Sequence, residues 1–341
     1  MKKTFLLGAM CASLVAFTSC GGDSKPAAAA QPAETFQEEA TVSSKTTTYE
    51  TNGELTERVV KNYGANGNVV SEDHYLVSKS TKAEYLAEHI VYKDGQPYTA
   101  EQKDDNGKPD GSVTYGYNNG RLSNIVTKVN GKETLRYNYV YNANGDLTSV
   151  KEFALKEGAS KLSIAYEWTY QYDAQNRLSQ RADFAGEGAE RIQANLYEFE
   201  YVGETNKVST VNFTFFDLNT KKLKHDAIHT FKYDKQDRPI EDIVERHNNN
   251  RTKMLNSRRF QWSYDDNGKL QGKFEERFNN NKWEANMATC LTEYYQYDEE
   301  GNLESVRTMV PKKNYSGYWV ELSADAKPVF DATQKQPTTK E

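Results

Sequence analysis

The stretch LSIAYEWTYQY, from Leu162 to Tyr172, alternates apolar and polar side chains with a period of two. Its apolar set includes Trp168 and Tyr170, and the polar residues between them form a second face. Successive side chains on a β-strand point to opposite faces, so this period is typical of a strand. A helix would scatter the same rings around a cylinder. The stretch is therefore predicted to be a strand whose aromatic residues share one face.

The residues that follow this strand are typical of a tight turn. Asp173 follows Tyr172, Asn176 stands four places after the tyrosine, and Leu178 stands two further on. Asn, Asp and Gly enter the left-handed backbone region most cheaply, and an Asp side chain accepts hydrogen bonds from nearby backbone amides. The pattern predicts a type I turn with a following bulge, joining two antiparallel strands.

This sequence pattern, called the phrase below, occurs nine times between Tyr49 and Leu303: a tyrosine, a Gly, Asn or Asp about four places on, and an aliphatic residue or proline two further. Its copies begin at Tyr49, Tyr63, Tyr117, Tyr141, Tyr172, Tyr201, Tyr233, Tyr264 and Tyr297, with a short variant at Tyr92. The copy at Tyr201 is one residue longer and puts Asn206 where a positive φ is expected. A second turn signal lies roughly midway between copies, so each unit is predicted to hold two strands and two turns.

These units predict an all-β domain of roughly 18 to 20 antiparallel strands in sequential order, a long up-and-down meander of repeated hairpins. Open sheets rarely exceed about ten strands without curling. We therefore expect a twisted or curled sheet that covers its own aromatic face.

The N-terminus has the pattern of a targeting signal. Lys2 and Lys3 precede a short apolar run, and Phe17 to Cys20 followed by glycine resembles the lipobox of bacterial lipoproteins. That resemblance implies a lipoprotein signal peptide over residues 1–19, an acylated Cys20 and an outer-membrane lipoprotein, periplasmic or surface-exposed. An ordinary secretory signal is the alternative. We expect a flexible tether at 20–40, the β-repeat domain at 41–330 and a disordered tail at 331–341.

Charge and cysteine content restrict the function classes. The net charge of −6 opposes nucleic-acid binding. Cys290 alone remains after Cys11 and Cys20, so neither a disulfide framework nor a cysteine metal cluster is expected, and Cys290 is interpreted as a small packed residue. His225 and His229 are predicted to share a strand face about 13 Å apart, too far to hold one metal ion together. A metal site would need cross-strand ligands, and we predict no metal and no cofactor.

The aromatic residues are the one set with a binding interpretation. They could stack on sugar rings, or they could be cross-strand partners that form the core. The candidate ligand-binding residues are Trp168, Tyr170, Tyr172, Trp262, Tyr264 and Trp283. Acidic pairs such as Glu275-Glu276 favour an enzyme only if a pocket gathers them, so no catalytic residue is assigned.

The phrase Tyr-Asp-x-x-Gly-x-Leu, as in Tyr264 to Leu270 and Tyr297 to Leu303, resembles the YD repeat of Rhs- and teneurin-type β-repeat proteins. With the lipobox, the chain looks like uncharacterised YD-repeat lipoproteins of Bacteroidetes. The resemblance implies a curled β-repeat shell. We expect a lipid-anchored, non-enzymatic scaffold of the cell envelope that binds a protein or glycan partner. The alternatives are a glycan-binding accessory lipoprotein and an envelope hydrolase.

Overall fold

The computed structural model describes residues 38–248, 251–285, 290–310, 320–323 and 326–329. These residues form an all-β protein, and their one helical element is a 3₁₀ turn at Gly188–Glu190. The all-β prediction is confirmed.

The strands follow one another along the chain with short connections. Their bounds are β1 Ser43–Thr51, β2 Glu54–Tyr63, β3 Val69–Val77, β4 Glu84–Lys93, β5 Gln96–Lys103, β6 Pro109–Asn118, β7 Arg121–Val129, β8 Lys132–Tyr141, β9 Leu147–Leu155, β10 Leu162–Tyr172, β11 Leu178–Ala185, β12 Ile192–Tyr201, β13 Val208–Asp217, β14 Lys222–Tyr233, β15 Pro239–His247, β16 Met254–Tyr264, β17 Leu270–Asn279, β18 Lys282–Glu284, β19 Thr292–Tyr297, β20 Leu303–Met309, β21 Glu321–Leu322 and β22 Pro328–Val329.

Each strand from β1 to β17 pairs antiparallel with the next, and β17 pairs with both β18 and β19. This is the predicted meander. The expectation of a merely twisted or curled sheet is wrong, because β20 pairs with β1 and closes a 19-strand barrel. The closing pair is parallel and joins Thr48–Thr51 to Ser305–Thr308. An odd number of strands requires one parallel neighbour in an otherwise alternating ring.

The repeated phrase forms the predicted turns. After Tyr172, the amide of Asp173 donates to the carbonyl of Arg177 at 2.8 Å, and Asn176 has φ of 60°. The strand register then shifts by one residue at Tyr172, which pairs with Leu178. This is the predicted turn with its bulge.

Two details of the turn predictions need correction. In the longer copy after Tyr201, Gly203 has the positive φ of 55°, and Asn206 does not. Glycine takes that conformation at lower cost than asparagine, so the extra residue moved the turn toward Gly203. One further copy lacks the tyrosine: Asp104 and Gly107 make the same turn after Lys103.

The two faces of the barrel differ in burial. Val150, Trp168 and Phe213 lie on the face that carries the core, which we call the inner face, because side chains converge on the concave side of a closed sheet. The opposite, outer face carries cross-strand ion pairs such as Lys151 with Glu167 and Lys232 with Glu241.

The alternation predicted for Leu162 to Tyr172 has a break. A register shift between Ile164 and Tyr166 leaves Ala165 without its own partner on β9. Ile164 consequently pairs with Phe153 on the outer face, while Tyr166 pairs with Glu152 on the inner face. The alternation of apolar and polar residues continues unchanged through the bulge at Ala165, so the sequence did not reveal that Ile164 faces the opposite side from Tyr166.

Candidate functional site

The repeated tyrosines interlock consecutive hairpins. In each of seven units the phenolic hydroxyl donates a hydrogen bond of 2.7–3.0 Å to the backbone carbonyl at the end of the preceding turn. The pairs are Tyr117 with Pro97, Tyr141 with Leu122, Tyr172 with Leu147, Tyr201 with Leu178, Tyr233 with Val208, Tyr264 with Pro239 and Tyr297 with Leu270. The bonded backbone carbonyl belongs to the aliphatic or proline residue of the phrase, so the tyrosine of one unit binds the position at which the preceding turn ends.

The acidic residue of the phrase stabilises its own turn. Asp173 Oδ1 accepts from the backbone amides of Gln175 at 3.0 Å and Arg177 at 2.8 Å. The Arg177 guanidinium then lies 4.4 Å from the ring centroid of Tyr201 in the next unit. Equivalent pairs of a basic residue over the next tyrosine are Arg121 with Tyr141, Lys207 with Tyr233, Arg238 with Tyr264 and Lys269 with Tyr297. One row of turns is thus joined by hydroxyl and cation–π contacts.

Most of the predicted ligand-binding residues are engaged in this packing. Trp168 and Tyr170 are 6 % and 7 % exposed, so neighbouring side chains cover their rings. The hydroxyls of Tyr172 and Tyr264 donate to the carbonyls of Leu147 and Pro239. The Trp262 ring lies 5.8 Å from Lys273 Nζ on the inner face.

Trp283 is the predicted site residue that lies elsewhere, on the outer face. Its ring meets the Phe278 ring edge to face at 5.0 Å, and the Arg259 guanidinium lies 5.0 Å from its centroid. A second pair, Phe274 and Tyr294, meets at 5.7 Å on the same face, and Tyr294 is 47 % exposed. The four rings Phe274, Phe278, Trp283 and Tyr294 are called the outer aromatic patch. Between the two pairs, Arg259 binds the Glu276 carboxylate.

Buried charges on the inner face were missed by the sequence analysis. They recur at the third and fifth residues after the aliphatic or proline residue of the phrase, and are Glu72, His74, Glu152, Arg181, Asp183, Asp242, Lys273 and Glu275. Arg181 Nε donates to Asp183 Oδ1 at 2.7 Å, and Asn195 donates to Asp183 Oδ2. The sequence signal for these residues was their fixed distance from each turn. In other units the same position holds a core residue such as Val150, so a charged residue there is also predicted to face the core.

His74 lies at the centre of one such group. Its Nδ1 is 2.8 Å from Glu57 Oε1, its Nε2 is 2.7 Å from Glu72 Oε1, and Lys61 pairs with the other oxygen of Glu72. Burial disfavours the charged ring, but the two carboxylates outweigh it and raise the pKa of His74 to about 9. The ring is therefore an imidazolium at neutral pH, and it joins β2 to β3 rather than serving as a base.

A second buried histidine pairs with one carboxylate. His229 Nδ1 is 2.9 Å from Asp242 Oδ2, and the two residues are 1 % and 2 % exposed. Asp242 Oδ1 has no hydrogen-bond partner within the described structure. The group lies between Phe231 and Phe260 on the neighbouring strands.

The prediction that His225 and His229 share a strand face is wrong. A register shift on β14 places Ala227 opposite Phe213 and His225 opposite Thr214. The residue between them, Asp226, is bulged, so His225 lies on the outer face and His229 on the inner face. His225 Nδ1 instead lies 3.3 Å from His247 Nε2 on β15.

The C-terminal residues 320–323 lie against the inner face through Val320 and Leu322. Val320 is 3 % exposed and belongs to the core cluster of Tyr197, Phe199 and Phe260, while Leu322 packs on the same cluster. Strands β21 and β22 form a sheet separate from the barrel. Residues 320–323 are thus held to the barrel by side-chain packing.

Cys290 is buried, and Cys20 lies outside the described residues. Over the described ranges, no group of three or more His, Cys, Asp and Glu side chains could hold a metal ion. No helix in that part of the chain has the length and hydropathy of a membrane span.

No protein-family model and no curated protein matches this chain. Among solved structures it is similar to a Bacteroides fragilis protein of unknown function, at 12 % identity over 45 % of this chain and 88 % of that one, with a TM-score of 0.25. It is also similar to TcdB2-TccC3, at 13 % identity over 81 % of this chain but 17 % of that one, with a TM-score of 0.31. A porin-like protein from Bacteroides uniformis matches at 8 % identity over 69 % of this chain and 88 % of that one, with a TM-score of 0.34.

Proposed function

We propose that this chain is a lipid-anchored, non-enzymatic scaffold of the cell envelope that binds a partner on the outer surface of its barrel. The observation that carries the proposal is the use of the repeated aromatic residues. Their rings fill the inner face and their hydroxyls hold neighbouring hairpins together. The surface left for a partner is the outer face with its two rows of turns.

The charge pattern of the outer face supports a water-exposed barrel on a tether. Glu167 pairs with Lys151 and Arg191, and Arg259 pairs with Glu241 and Glu276. These charged side chains make the outer face polar, as expected of a surface in contact with water. The YD-like phrase and the lipobox support the proposal that the chain is a YD-repeat lipoprotein of the outer membrane.

The anchor is tested by metabolic labelling. Cells expressing the full chain are fed an alkyne-tagged palmitate, and the chain is recovered and its label measured. We expect label on the wild-type chain and none on Cys20→Ala, with both chains exported. Label retained by Cys20→Ala would contradict acylation at this residue.

The partner surface is tested by photocrosslinking in cells. A photoreactive phenylalanine derivative is placed at Val140 or Tyr294, which are exposed on the outer face, and at Tyr166 as the inner-face control. We expect a defined crosslinked product from at least one outer position and none from Tyr166. Crosslinks confined to Tyr166 would contradict an outer binding surface.

A glycan-binding role is the second candidate, favoured by the outer aromatic patch. Two ring pairs flank the Arg259–Glu276 ion pair, which offers stacking surfaces beside a hydrogen-bond donor and acceptor. A glycan-array screen of the full chain tests it. Binding lost in Trp283→Ala and retained in Tyr98→Ala, an exposed aromatic elsewhere, supports the role; equal binding by both variants contradicts it.

A further inference from the structure

The bulge at Asp226 creates a cross-strand pair of histidines. It turns His225 to the outer face near the end of β14, where His247 ends the neighbouring strand β15. The Nδ1 atom of His225 and the Nε2 atom of His247 are 3.3 Å apart, and the rings are nearly perpendicular. The two residues are 22 positions apart in sequence.

This separation suits two ligands of one metal ion better than a hydrogen bond. An N–H donor normally approaches its acceptor to about 2.9–3.0 Å. Two imidazole nitrogens bound at about 2.0–2.1 Å to one tetrahedral ion are about 3.3–3.4 Å apart. The ring centroids are 5.5 Å apart, so small side-chain rotations would direct both lone pairs to a shared ion.

The surroundings leave the pair incompletely satisfied. His247 Nδ1 is buried and has no hydrogen-bond partner within the described structure. Asp226, the nearest carboxylate in sequence, is engaged by Arg246 and lies 3.7 Å from Arg251.

We propose that His225 Nδ1 and His247 Nε2 bind one transition-metal ion, with water or a partner's side chain completing its coordination. Imidazole ligands select Cu²⁺, Zn²⁺ and Ni²⁺ over Mg²⁺ and Ca²⁺, and Cu²⁺ binds most tightly. Two neutral ligands without a carboxylate give weaker binding than a four-ligand structural zinc site. The open positions make the ion a point of attachment on the outer surface.

Calorimetric titration of the full chain in detergent micelles with ZnSO₄ and with CuCl₂ tests the site. We expect one ion per chain, tighter binding of Cu²⁺ than Zn²⁺, and no heat from MgCl₂. His225→Gln and His247→Gln should each weaken binding at least tenfold. His89→Gln is the matched control, because His89 is also a partly exposed outer-face histidine, bonded to Asp73.

A second readout needs no variant. Diethyl pyrocarbonate modifies accessible neutral histidines, and mass spectrometry of the wild-type chain locates the modified rings. We expect Zn²⁺ to protect His225 and His247 and to leave His89 unprotected. The proposal is overturned if wild type binds no metal, or if the double variant His225→Gln/His247→Gln binds with unchanged affinity and stoichiometry.

Discussion

The hydroxyl of Tyr201, the last residue of β12, donates a 2.7 Å hydrogen bond to the carbonyl oxygen of Leu178, the first residue of the neighbouring strand β11. Six other units repeat this contact, so a tyrosine hydroxyl reinforces the backbone pairing between neighbouring strands along one row of turns.

Removing this hydroxyl should destabilise the barrel without changing its shape. Tyr201→Phe keeps the ring and leaves the Leu178 carbonyl without its donor, which should cost about 1 kcal/mol of unfolding free energy. Chemical denaturation measures it, with Tyr294→Phe on the outer face as control. An equal loss in both variants would contradict a specific role for the interlock.

The interlocking tyrosines predict a loss of stability at high pH. Burial raises the pKa of Tyr172, Tyr201 and Tyr264 to about 12, from 10.0. Between pH 10 and 12 the folded chain keeps these phenolic protons, whereas the unfolded chain releases them. The contribution of the three tyrosines to folding stability is therefore complete below pH 10 and is lost as the pH rises toward 12. Thermal unfolding between pH 9 and 12 should show this fall, and Tyr201→Phe should make it shallower. If Tyr201→Phe left the dependence of thermal stability on pH unchanged, a raised pKa of Tyr201 would be contradicted.

The group around His74 predicts a pH dependence at lower pH. Because the pKa of His74 is raised to about 9, its stabilising contribution is complete below pH 6.5 and is lost as pH rises through 9. His74→Gln should cost on the order of 2–3 kcal/mol at pH 6 and much less at pH 9.5. An NMR titration of the imidazole resonance measures the pKa directly. A midpoint near 6.5 would contradict the pairing with Glu57 and Glu72.

Gly145 and Asn206, at two different turns, predict unequal costs of substitution by alanine. Gly145 has φ of 91°, and a Cβ there would also meet the Arg121 guanidinium, so Gly145→Ala should cost about 1–2 kcal/mol. Asn206→Ala should change stability by less than about 0.5 kcal/mol, because Asn206 is outside the left-handed region. Equal costs in urea denaturation would contradict this assignment of the long turn.

The turns were predictable from sequence because their chemistry is local. Tyr172, Asp173 and Asn176 act within one hairpin, and the same residues recur wherever the backbone makes that turn. Bulges were not predictable: those at Ala165 and Asp226 change the facing of Ile164 and His225 without altering the residue pattern. The buried charges of the inner face depend on this facing, and their partners lie on other strands.

Barrel closure was also beyond sequence reasoning, because β1 and β20 meet only after every intervening strand has set the curvature. Their pairing sets Glu50 opposite Arg307 and closes the ring of strands. Disulfide trapping tests it most directly. In a chain whose native cysteines are replaced by serine, Glu50→Cys/Arg307→Cys should form a disulfide on mild oxidation, and Glu50→Cys/Gln261→Cys should not. No disulfide at 50 and 307, or equal trapping of both pairs, would contradict a closed barrel.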